Sequence, residues 1–455
     1  MFLFVRCEDD SYGWETKHVV RMPFSTSRLK SDGSSEAEFV KCCLMKLTVP
    51  QKSIELVTTV IDSYQDERYQ YDSLHTLFNK KMSPEQRAYN LEIVIPNIAK
   101  LALRLSDLIT KPIPRLRSSV SGSVTFSQEQ VACLMANAFL CTFPPPSFPL
   151  YRGRAYMNFS LMFKKGKPCK MEKLKCFLHY FDSVTKNMPN GLISVRRNCK
   201  REFVDFSTLD IPLCDLHVET DVKIEDTDDK MLEIDFANKN IGGGVLNSGC
   251  VQEEIRFTTS PELIISMLVC ERMNDNEAIS IVGAQRFCDY KGYGDSFQYV
   301  ERKNSTPVKR DRFNRILSEV VGMDATRFTN DVTKQLEEES IRREITKAYV
   351  GFDHLDSLNR PIATGNWGCG IFKGDRQLKS LIQLIAASAQ KRRALYYCTF
   401  GDEEFTRNLK GIYEILSTKN VSVGTLYNLI IGYKTHHLSD KSGPKIFDYV
   451  ESSLR

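Results

Sequence analysis

The sequence predicts an α/β fold that follows a mostly helical accessory domain. Before residue 190, apolar side chains recur every three or four residues, the spacing of a buried helical face. After residue 190, segments with the alternation of strands are separated by capped helices, and that succession indicates an α/β layer. We therefore divide the 455 residues into a helical domain, 1–190, and an α/β domain, 191–455.

Helical periodicity and end signals predict the first domain. Helices are expected over residues 84–110, from 128 to the prolines at 144–146, and over 170–186. Pro96 should bend the first of these helices, because proline lacks a backbone donor. Ser127 and Gln130 form a capping-box signature at the start of the second helix.

Short strand candidates predict the second domain. They cover residues 191–197, 231–236, 278–283, 319–324 and 394–400. Helices are expected between them, one over residues 331–349 and one from an N-cap at Asp375 to about residue 391. Ser260 followed by Pro261 marks a further helix start.

The composition is that of an ordinary globular protein, with 42% hydrophobic and 26% charged residues, which excludes collagen, wholesale disorder and membrane bundles. The 62 basic and 57 acidic residues leave a net charge of +5, which is compatible with a polyanionic ligand held locally. The 14 cysteines include no CxxC pair, and no apolar stretch approaches the roughly 18 residues of a membrane span. We therefore expect a soluble, unsecreted protein with reduced thiols.

The densest chemical signal lies between Met231 and Phe257. A strand candidate ends near Asp235, three glycines follow at 242–244, and residues 252–254 read Gln-Glu-Glu. Glycines let backbone amides approach a phosphate without side-chain obstruction, and a helix start adds its positive end. The pattern predicts a pyrophosphate cradle.

Two common phosphate loops do not fit this segment. Gly244 and Gly249 have the spacing of a Walker A loop, but Cys250 and Val251 stand where Lys and Ser/Thr are needed. The dinucleotide fingerprint fails because Asn247 occupies the position of its third glycine. Phosphoryl transfer by a P-loop and hydride transfer are therefore not predicted.

The adjacent Glu253 and Glu254 suit glycoside hydrolysis. That reaction needs one carboxylic acid to protonate the leaving oxygen and negative charge to stabilise an oxocarbenium-like sugar. Acidic residues near a helix start are also common because they complement the helix dipole. The residue types alone leave both interpretations open.

The run GGGVLNSGCVQEE at residues 242–254 resembles the signature of the poly(ADP-ribose) glycohydrolases. Further blocks resemble the family in the same order, at residues 101–116, 127–144, 363–375 and 396–402. The resemblance covers roughly residues 85–435 and favours the eukaryotic type over the compact bacterial type. It implies a helical accessory domain before an α/β/α macrodomain with a mixed sheet.

The resemblance implies roles for the signature residues. Glu254 would be the catalytic acid, which protonates the leaving ribosyl oxygen and then activates water. Glu253 would hydrogen-bond the ribose of the scissile unit, while Asp235 and Asn238 would position that ribose and the glutamates. The diphosphate loop, with backbone amides as donors, would comprise Gly242, Gly243 and Gly244.

The resemblance also implies contacts to the rest of ADP-ribose. The adenine pocket would comprise Ile224, Glu225 and Gln252. Tyr293 would clasp the ligand, and Phe372 and Phe400 would pack on ribose and adenine, because an aromatic face stacks well on a base.

A second glycine loop, residues 364–375, runs into the helix capped by Asp375. We expect this loop, which contains Asn366 and Gly370, to close over the diphosphate. Trp367 is expected to be a structural anchor rather than a ligand contact.

The resemblance implies an enzyme that hydrolyses the ribose–ribose bonds of poly(ADP-ribose) without a metal or an organic cofactor. His436 and His437 have no partners at metal-ligand spacing. The expected partners are the polymer and poly(ADP-ribosyl)ated proteins. We expect a monomer in the nucleus or cytoplasm that acts in the DNA damage response and binds neither DNA nor membranes directly.

Two alternative functions stay open. A macrodomain reader would bind ADP-ribose without cleaving it, and it would not need the glutamates at 253 and 254. A second kind of hydrolase would remove mono(ADP-ribose) from protein side chains.

Overall fold

A computed structural model describes residues 5–6, 19–23, 36–65, 68–143, 156–200, 204–228, 231–302, 308–353, 359–439 and 445–455. The chain divides into two compact units. The first unit comprises Met1–Arg196, Asn240–Arg272 and Ile281–Leu317. The second unit comprises Arg197–Lys239, Met273–Ser280 and Ser318–Arg455. The division into domains at residue 190 stays a prediction.

Most helices of the first unit precede residue 190. They are α1 (Glu36–Met45), α2 (Ile54–Asp62), α3 (Asp72–Thr76), α4 (Pro84–Tyr89), α5 (Ile95–Leu103), α6 (Leu105–Leu108), α7 (Gln128–Phe139), α8 (Ser160–Phe163) and α9 (Cys169–Lys186). Two more lie later in the chain, α10 (Gln252–Thr259) and α11 (Ile265–Val269). No helix in the described ranges is long and apolar enough to cross a membrane.

The helix expected over residues 84–110 is wrong as a single regular α-helix, because it contains a π-helical turn and is interrupted at Arg104. A π-helical turn, Asn90–Val94, separates α4 from α5, and the amide of Ile95 donates to the carbonyl of Asn90. Pro96 follows at once and has no amide proton, so the regular hydrogen-bond ladder cannot run through this point. Pro96 is therefore accommodated beside a widened helical turn, and the expected bend stays a prediction.

The capping box at the start of α7 is confirmed. The amide of Gln130 donates to Ser127 Oγ at 3.0 Å, and the amide of Ser127 donates to Gln130 Oε1 at 2.9 Å. The helix ends at Phe139, and the prolines at 144–146 lie outside the described residues. The helix expected over 170–186 is confirmed as α9.

Phenylalanine rings in tilted and edge-to-face contact join α7 and α9 inside the first unit. Phe139 of α7 lies 5.4 Å from Phe181 of α9 between ring centroids. Phe159 bridges them, at 5.3 Å from Phe139 and 4.9 Å from Phe177. Edge-to-face packing of this kind restrains a helix along its length. The polar residues of α9 are thereby presented at fixed positions.

The described residues form the strands β1 (Val5–Arg6), β2 (Gly122–Ser127), β3 (Leu192–Cys199), β4 (Asp215–Glu219), β5 (Leu232–Asp235), β6 (Glu277–Val282), β7 (Cys288–Lys291), β8 (Gln298–Glu301), β9 (Glu319–Gly322), β10 (Ile362–Gly365) and β11 (Ala394–Cys398). Five of the strands, β3, β5, β6, β9 and β11, lie at the predicted strand segments. In the first unit, β1 pairs antiparallel with β2, and β7 with β8 forms an antiparallel hairpin. Sequence alternation did not identify β1, β2, β4, β10 or the hairpin.

The second unit contains a run of parallel strands in the order β9, β5, β10, β11, β4. Asp235 pairs with Gly322, Gly365 pairs with Cys398, and Cys398 pairs with Glu219. Since parallel strands share a direction, their carboxyl ends meet at one edge of the sheet. The segments that follow these strands therefore leave from that edge.

Helices cover this sheet and confirm the α/β class of the second part. They are α12 (Glu338–Gly351), α13 (Arg376–Ala389), α14 (Glu403–Thr418), α15 (Val423–Ser439) and α16 (Ile446–Leu454). Asp375 caps α13 as expected, because its Oδ1 accepts from the amide of Leu378 at 2.8 Å. The helix expected over 331–349 begins later, at Glu338, after a 3-10 turn at Val332–Leu336.

Trp367 lies at the centre of the second unit's core and is fully buried. Its indole nitrogen donates to the carbonyl of Met323 at 3.0 Å, and the ammonium of Lys379 lies 3.9 Å from its ring centroid. These contacts join the loop after β10 to the segment after β9 and to α13. The prediction that Trp367 is a structural anchor agrees with this burial.

Replacing Trp367 with Phe should lower the free energy of unfolding by about 2 kcal/mol, because it removes both the indole donor and ring volume from a packed core. Urea denaturation measures this loss. Tyr397→Phe is the control, since it removes only a hydroxyl that donates to Asn366 Oδ1 at 3.2 Å and should cost less. An unchanged urea midpoint for Trp367→Phe would contradict the anchoring role.

Candidate active site

The paired glutamates lie at the start of α10. They accept hydrogen bonds from the segment that precedes this helix, residues 242–251, which we call the glycine turn. Both side chains are buried, with exposed fractions of 3% for Glu253 and 7% for Glu254. The amide of Gly242 donates to Glu253 Oε1 at 2.7 Å. The amide of Gly244 donates to Glu254 Oε1 at 2.9 Å. Backbone donors thus fix the orientation of two adjacent carboxyl groups.

Glu254 is also bound at its second oxygen. The amide of Val251 donates to Glu254 Oε2 at 3.0 Å, so each oxygen accepts one backbone hydrogen bond. A carboxylate oxygen has two lone pairs, which leaves each oxygen of Glu254 able to accept or share a further proton. This arrangement is suited to a group that exchanges a proton with a ligand.

Close approach is the reason that the turn consists of glycines. A Cβ atom on Gly243 would lie 2.4 Å from Glu253 Oε2 and 2.6 Å from Glu254 Oε1. A Cβ atom on Gly249 would lie 2.7 Å from Glu254 Oε1. Gly242 and Gly243 also adopt positive φ angles, of 87° and 49°, which side chains disfavour. A larger residue at these positions would displace the carboxylates.

The three amides expected to bind diphosphate already have partners within the protein. Gly242 and Gly244 donate to the glutamates, and the amide of Gly243 donates to the carbonyl of Asn240 at 3.1 Å. In the structure, the amides of Gly242 and Gly244 orient Glu253 and Glu254. A diphosphate contact by the turn stays a prediction.

The hydroxyl of Tyr293 contacts the start of α10, and the role of Tyr293 as a clasp stays a prediction. The hairpin loop between β7 and β8 carries Tyr293, whose hydroxyl accepts a hydrogen bond from the amide of Gln252 at 3.0 Å. The neighbouring Gly294 donates to the carbonyl of Cys250 at 2.9 Å. Tyr293 is 41% exposed as a residue. The first unit therefore brings together Gln252, Tyr293, the glycine turn and both glutamates.

The remaining predicted residues lie in the second unit, after the carboxyl ends of its parallel strands. Asp235 ends β5 and is buried, and Asn238 follows it in an exposed position. Ile224 and Glu225 lie in a short 3-10 helix, Ile224–Asp226, which follows β4. Ile224 packs against Ala363 and Cys398, near the ends of β10 and β11.

The loop after β10 carries two of the predicted residues. Asn366 is fixed by two contacts, since its Nδ2 donates to the carbonyl of Thr399 at 3.2 Å and its Oδ1 accepts from the hydroxyl of Tyr397. Gly370 is exposed, and a Cβ atom there would meet no atom within 4 Å. The loop therefore has room for a ligand at Gly370 and a fixed amide at Asn366.

The two predicted aromatic contacts differ in exposure. Phe372 is half-buried against the core of the second unit, and its carbonyl accepts from the amide of Phe328 at 2.9 Å. Phe400 follows β11, is 64% exposed and has a φ of 61°. Positive φ is costly for a bulky residue, and such strain is often found at ligand-binding positions. Phe400 is thus largely exposed at the carboxyl edge of the sheet.

Sequence reasoning missed Lys173, a fully buried lysine of α9 that contacts the carbonyls of the glycine turn. A lysine within an amphipathic helix is ordinarily read as solvent-facing, so spacing carried no signal for it. No group of three or more potential metal ligands occurs among the described residues. The side chains of His436 and His437 lie outside that description.

Comparison with known families and proteins matches both parts of the chain. Residues 82–197 match the family model described as the helical domain of poly(ADP-ribose) glycohydrolase, and residues 203–407 match the one described as its Macro domain fold. These matches confirm the predicted fold class, a macrodomain preceded by a helical domain.

Three of the curated relatives that the chain matches are named as poly(ADP-ribose) glycohydrolases. The chain is 36% identical over 375 residues to poly(ADP-ribose) glycohydrolase 1 of Caenorhabditis elegans, covering 78% of this chain but only 46% of that protein. It is 30% identical to probable poly(ADP-ribose) glycohydrolase 2 of Arabidopsis thaliana, covering 90% of both chains. It is 31% identical to poly(ADP-ribose) glycohydrolase 1 of Arabidopsis thaliana, covering 83% of this chain and 84% of that protein.

Replacing Gly243 with Ala should displace both glutamates, because the new methyl group would overlap their carboxyl oxygens. We expect the amides of Gly242 and Gly244 to lose hydrogen-exchange protection and the free energy of unfolding to fall by about 2 kcal/mol. Gly411→Ala in α14 is the control, since a Cβ atom there meets nothing within 4 Å. Retained protection in Gly243→Ala would show that the close contact does not constrain the turn.

Proposed function

The chain belongs to the poly(ADP-ribose) glycohydrolase family, and we propose that it hydrolyses the ribose–ribose O-glycosidic bonds of poly(ADP-ribose) to release ADP-ribose. The observation that carries this proposal is the pair of buried carboxyl groups of Glu253 and Glu254, oriented by amides of the glycine turn. The family match supplies the substrate class. A reader that only binds ADP-ribose would not require two carboxyl groups oriented in this way.

Glu254 serves as both acid and base in the proposed mechanism. As the acid, it protonates the ribosyl oxygen that leaves while the glycosidic bond breaks and positive charge develops on the sugar. The resulting carboxylate then takes a proton from water as the water oxygen bonds to the anomeric carbon. The proton removed from water restores the acid, so the cleavage of each glycosidic bond consumes one water molecule and leaves Glu254 unchanged.

Glu253 and Asp235 have supporting roles in this mechanism. Their negative charge stabilises the oxocarbenium-like sugar, and Glu253 hydrogen-bonds the ribose of the scissile unit. The hydrogen bond from Gly242 holds Glu253 in place before the substrate arrives, so no energy is spent on orienting it during the reaction. The two carboxyl groups thus divide the work into proton transfer and charge stabilisation.

The remaining predicted residues are proposed to bind the rest of ADP-ribose. The exposure of the aromatic residues Phe400 and Tyr293 supports stacking on the ligand, and fixed Asn366 supports a directional hydrogen bond. Ile224, Glu225 and Gln252 are proposed for adenine, Phe372 for packing on the ligand, and Asn238 for positioning the ribose. The proposed contacts require no metal or organic cofactor.

We also propose that the partners are poly(ADP-ribose) and poly(ADP-ribosyl)ated proteins. A polymer with two negative charges per unit does not require a strongly basic protein, and the net charge of +5 agrees with binding through directed hydrogen bonds. We propose a monomer in the nucleus or cytoplasm that takes part in the DNA damage response without binding DNA or membranes directly. Tagged protein imaged before and after DNA damage tests this placement.

Replacing Glu254 with Gln should lower polymer turnover about 1,000-fold, because the amide cannot transfer a proton, while ADP-ribose binding is retained. Release of ADP-ribose and calorimetric binding measure the two properties. Glu262→Gln is a matched control, since Glu262 is equally buried and also accepts two hydrogen bonds, from Gln128 at 2.9 Å and from the amide of Gln285 at 2.7 Å. Near-normal turnover by Glu254→Gln would contradict the assignment of Glu254 as the catalytic acid.

The products formed from automodified polymer distinguish the three possible functions. We expect free ADP-ribose to appear while a protein-linked unit persists, because the proposed chemistry acts on ribose–ribose bonds. Loss of the last unit from the protein would indicate the mono(ADP-ribosyl) hydrolase instead. Binding without any released product would indicate a reader.

A further inference from the structure

Lys173 lies beneath the glycine turn and is one of the most buried lysines of the described chain, with an exposed fraction of 0%. Its Nζ donates to the carbonyls of Val245 at 2.8 Å, Asn247 at 2.8 Å and Gly249 at 2.6 Å. The carbonyl of Gly244 lies 3.5 Å away. A single side chain thus binds the main chain of the turn at three points.

The chemistry of the ammonium group matches this arrangement. Buried carbonyls need donors, and an ammonium group has three N–H donors and no acceptor. The same short turn directs the amide of Gly244 to Glu254 Oε1. The turn therefore accepts hydrogen bonds from Lys173 at its carbonyls and donates one to Glu254 through the amide of Gly244.

We propose that Lys173 is a positioning residue for Glu254, acting through the glycine turn and without contact to the substrate. This inference deepens the proposed function and rests on it. Without the ammonium group, three carbonyls would lose their donor, and the turn would relax to satisfy them elsewhere. The amide of Gly244 would then move away from Glu254, and the carboxyl group would lose its orientation.

The protonation of Lys173 links this arrangement to pH. Burial lowers the pKa of Lys173 to about 8. The charged and titratable groups that face it are Cys250, Glu254 and Cys169, which raise its pKa, and Lys170, which lowers it. A neutral amine has two N–H donors, so one of the three carbonyls loses its partner as the pH rises through about 8.

Catalysis and stability should respond to this titration in opposite directions. Turnover should fall as the pH rises through about 8, because the turn loses a hydrogen bond. Between that value and the ordinary 10.5, the unfolded chain binds the proton that the folded chain has released. The contribution of Lys173 to the free energy of unfolding therefore rises over the same range. A merely structural lysine would not lower turnover while the fold gains stability.

Lys173→Met and Lys170→Met form a matched pair on the same helix. Lys170 is also buried, but its Nζ donates to the carbonyls of Leu161 at 2.6 Å and Lys164 at 2.9 Å, away from the glycine turn. We expect Lys173→Met to lower kcat about 100-fold with little change in KM, because misplacing a catalytic group affects the reaction step. Lys170→Met should keep kcat. Equal kcat values for the two variants would overturn the inference.

The wild-type protein provides a second arm that does not depend on the folding of a variant. In protein labelled with ¹⁵N-glycine, the amide signal of Gly244 should titrate with an apparent pKa of about 8. A kcat and a Gly244 signal that both stay constant through this pH would overturn the positioning role. If the wild-type protein releases no ADP-ribose, the proposed function fails, while the Gly244 titration still decides whether Lys173 controls the turn.

Discussion

The constraint on which the candidate site depends is the burial of two adjacent carboxyl groups that must still be hydrogen-bonded. Glu253 and Glu254 lie almost wholly out of solvent, where an unbound carboxylate would be costly. Backbone amides of the turn at 242–251 supply their donors. Amides can reach carboxyl oxygens in this way only if no side chain intervenes, which explains the glycines at 243 and 249. The carbonyls of the same segment accept hydrogen bonds from Lys173.

In the second unit, the predicted ligand contacts come from several different strands. Parallel strands β5, β10, β11 and β4 end at one edge of their sheet, and the predicted ligand contacts follow those ends. Trp367 lies in the core of this unit. Its hydrogen bond to the carbonyl of Met323 joins the segments that follow β10 and β9. A rigid platform of this kind lets Phe400 keep a strained backbone and an exposed ring.

Sequence reasoning succeeded where a residue type and its position in the chain carry the chemistry. The capping signals at Ser127 and Asp375 selected helix starts that the structure confirms. The resemblance of residues 242–254 to the family signature, and not the Gln-Glu-Glu run alone, selected Glu254, whose catalytic role stays a prediction. Sequence reasoning failed where the decisive contact joins distant segments. Lys173 precedes the glycine turn by some seventy residues, and its importance comes from burial against carbonyls that no spacing rule reveals.

By itself, the sequence determined the fold class, the glycine and glutamate pattern and the family resemblance, because these depend on periodicity and on residue types close together in the chain. Tertiary structure decided what the glycine amides bind. The resemblance predicts that these amides bind a diphosphate, which stays a prediction, and the structure shows the amides of Gly242 and Gly244 donating to Glu253 and Glu254. The physical reason is that a backbone amide has one proton to donate, and only the folded arrangement shows which acceptor lies within reach of it.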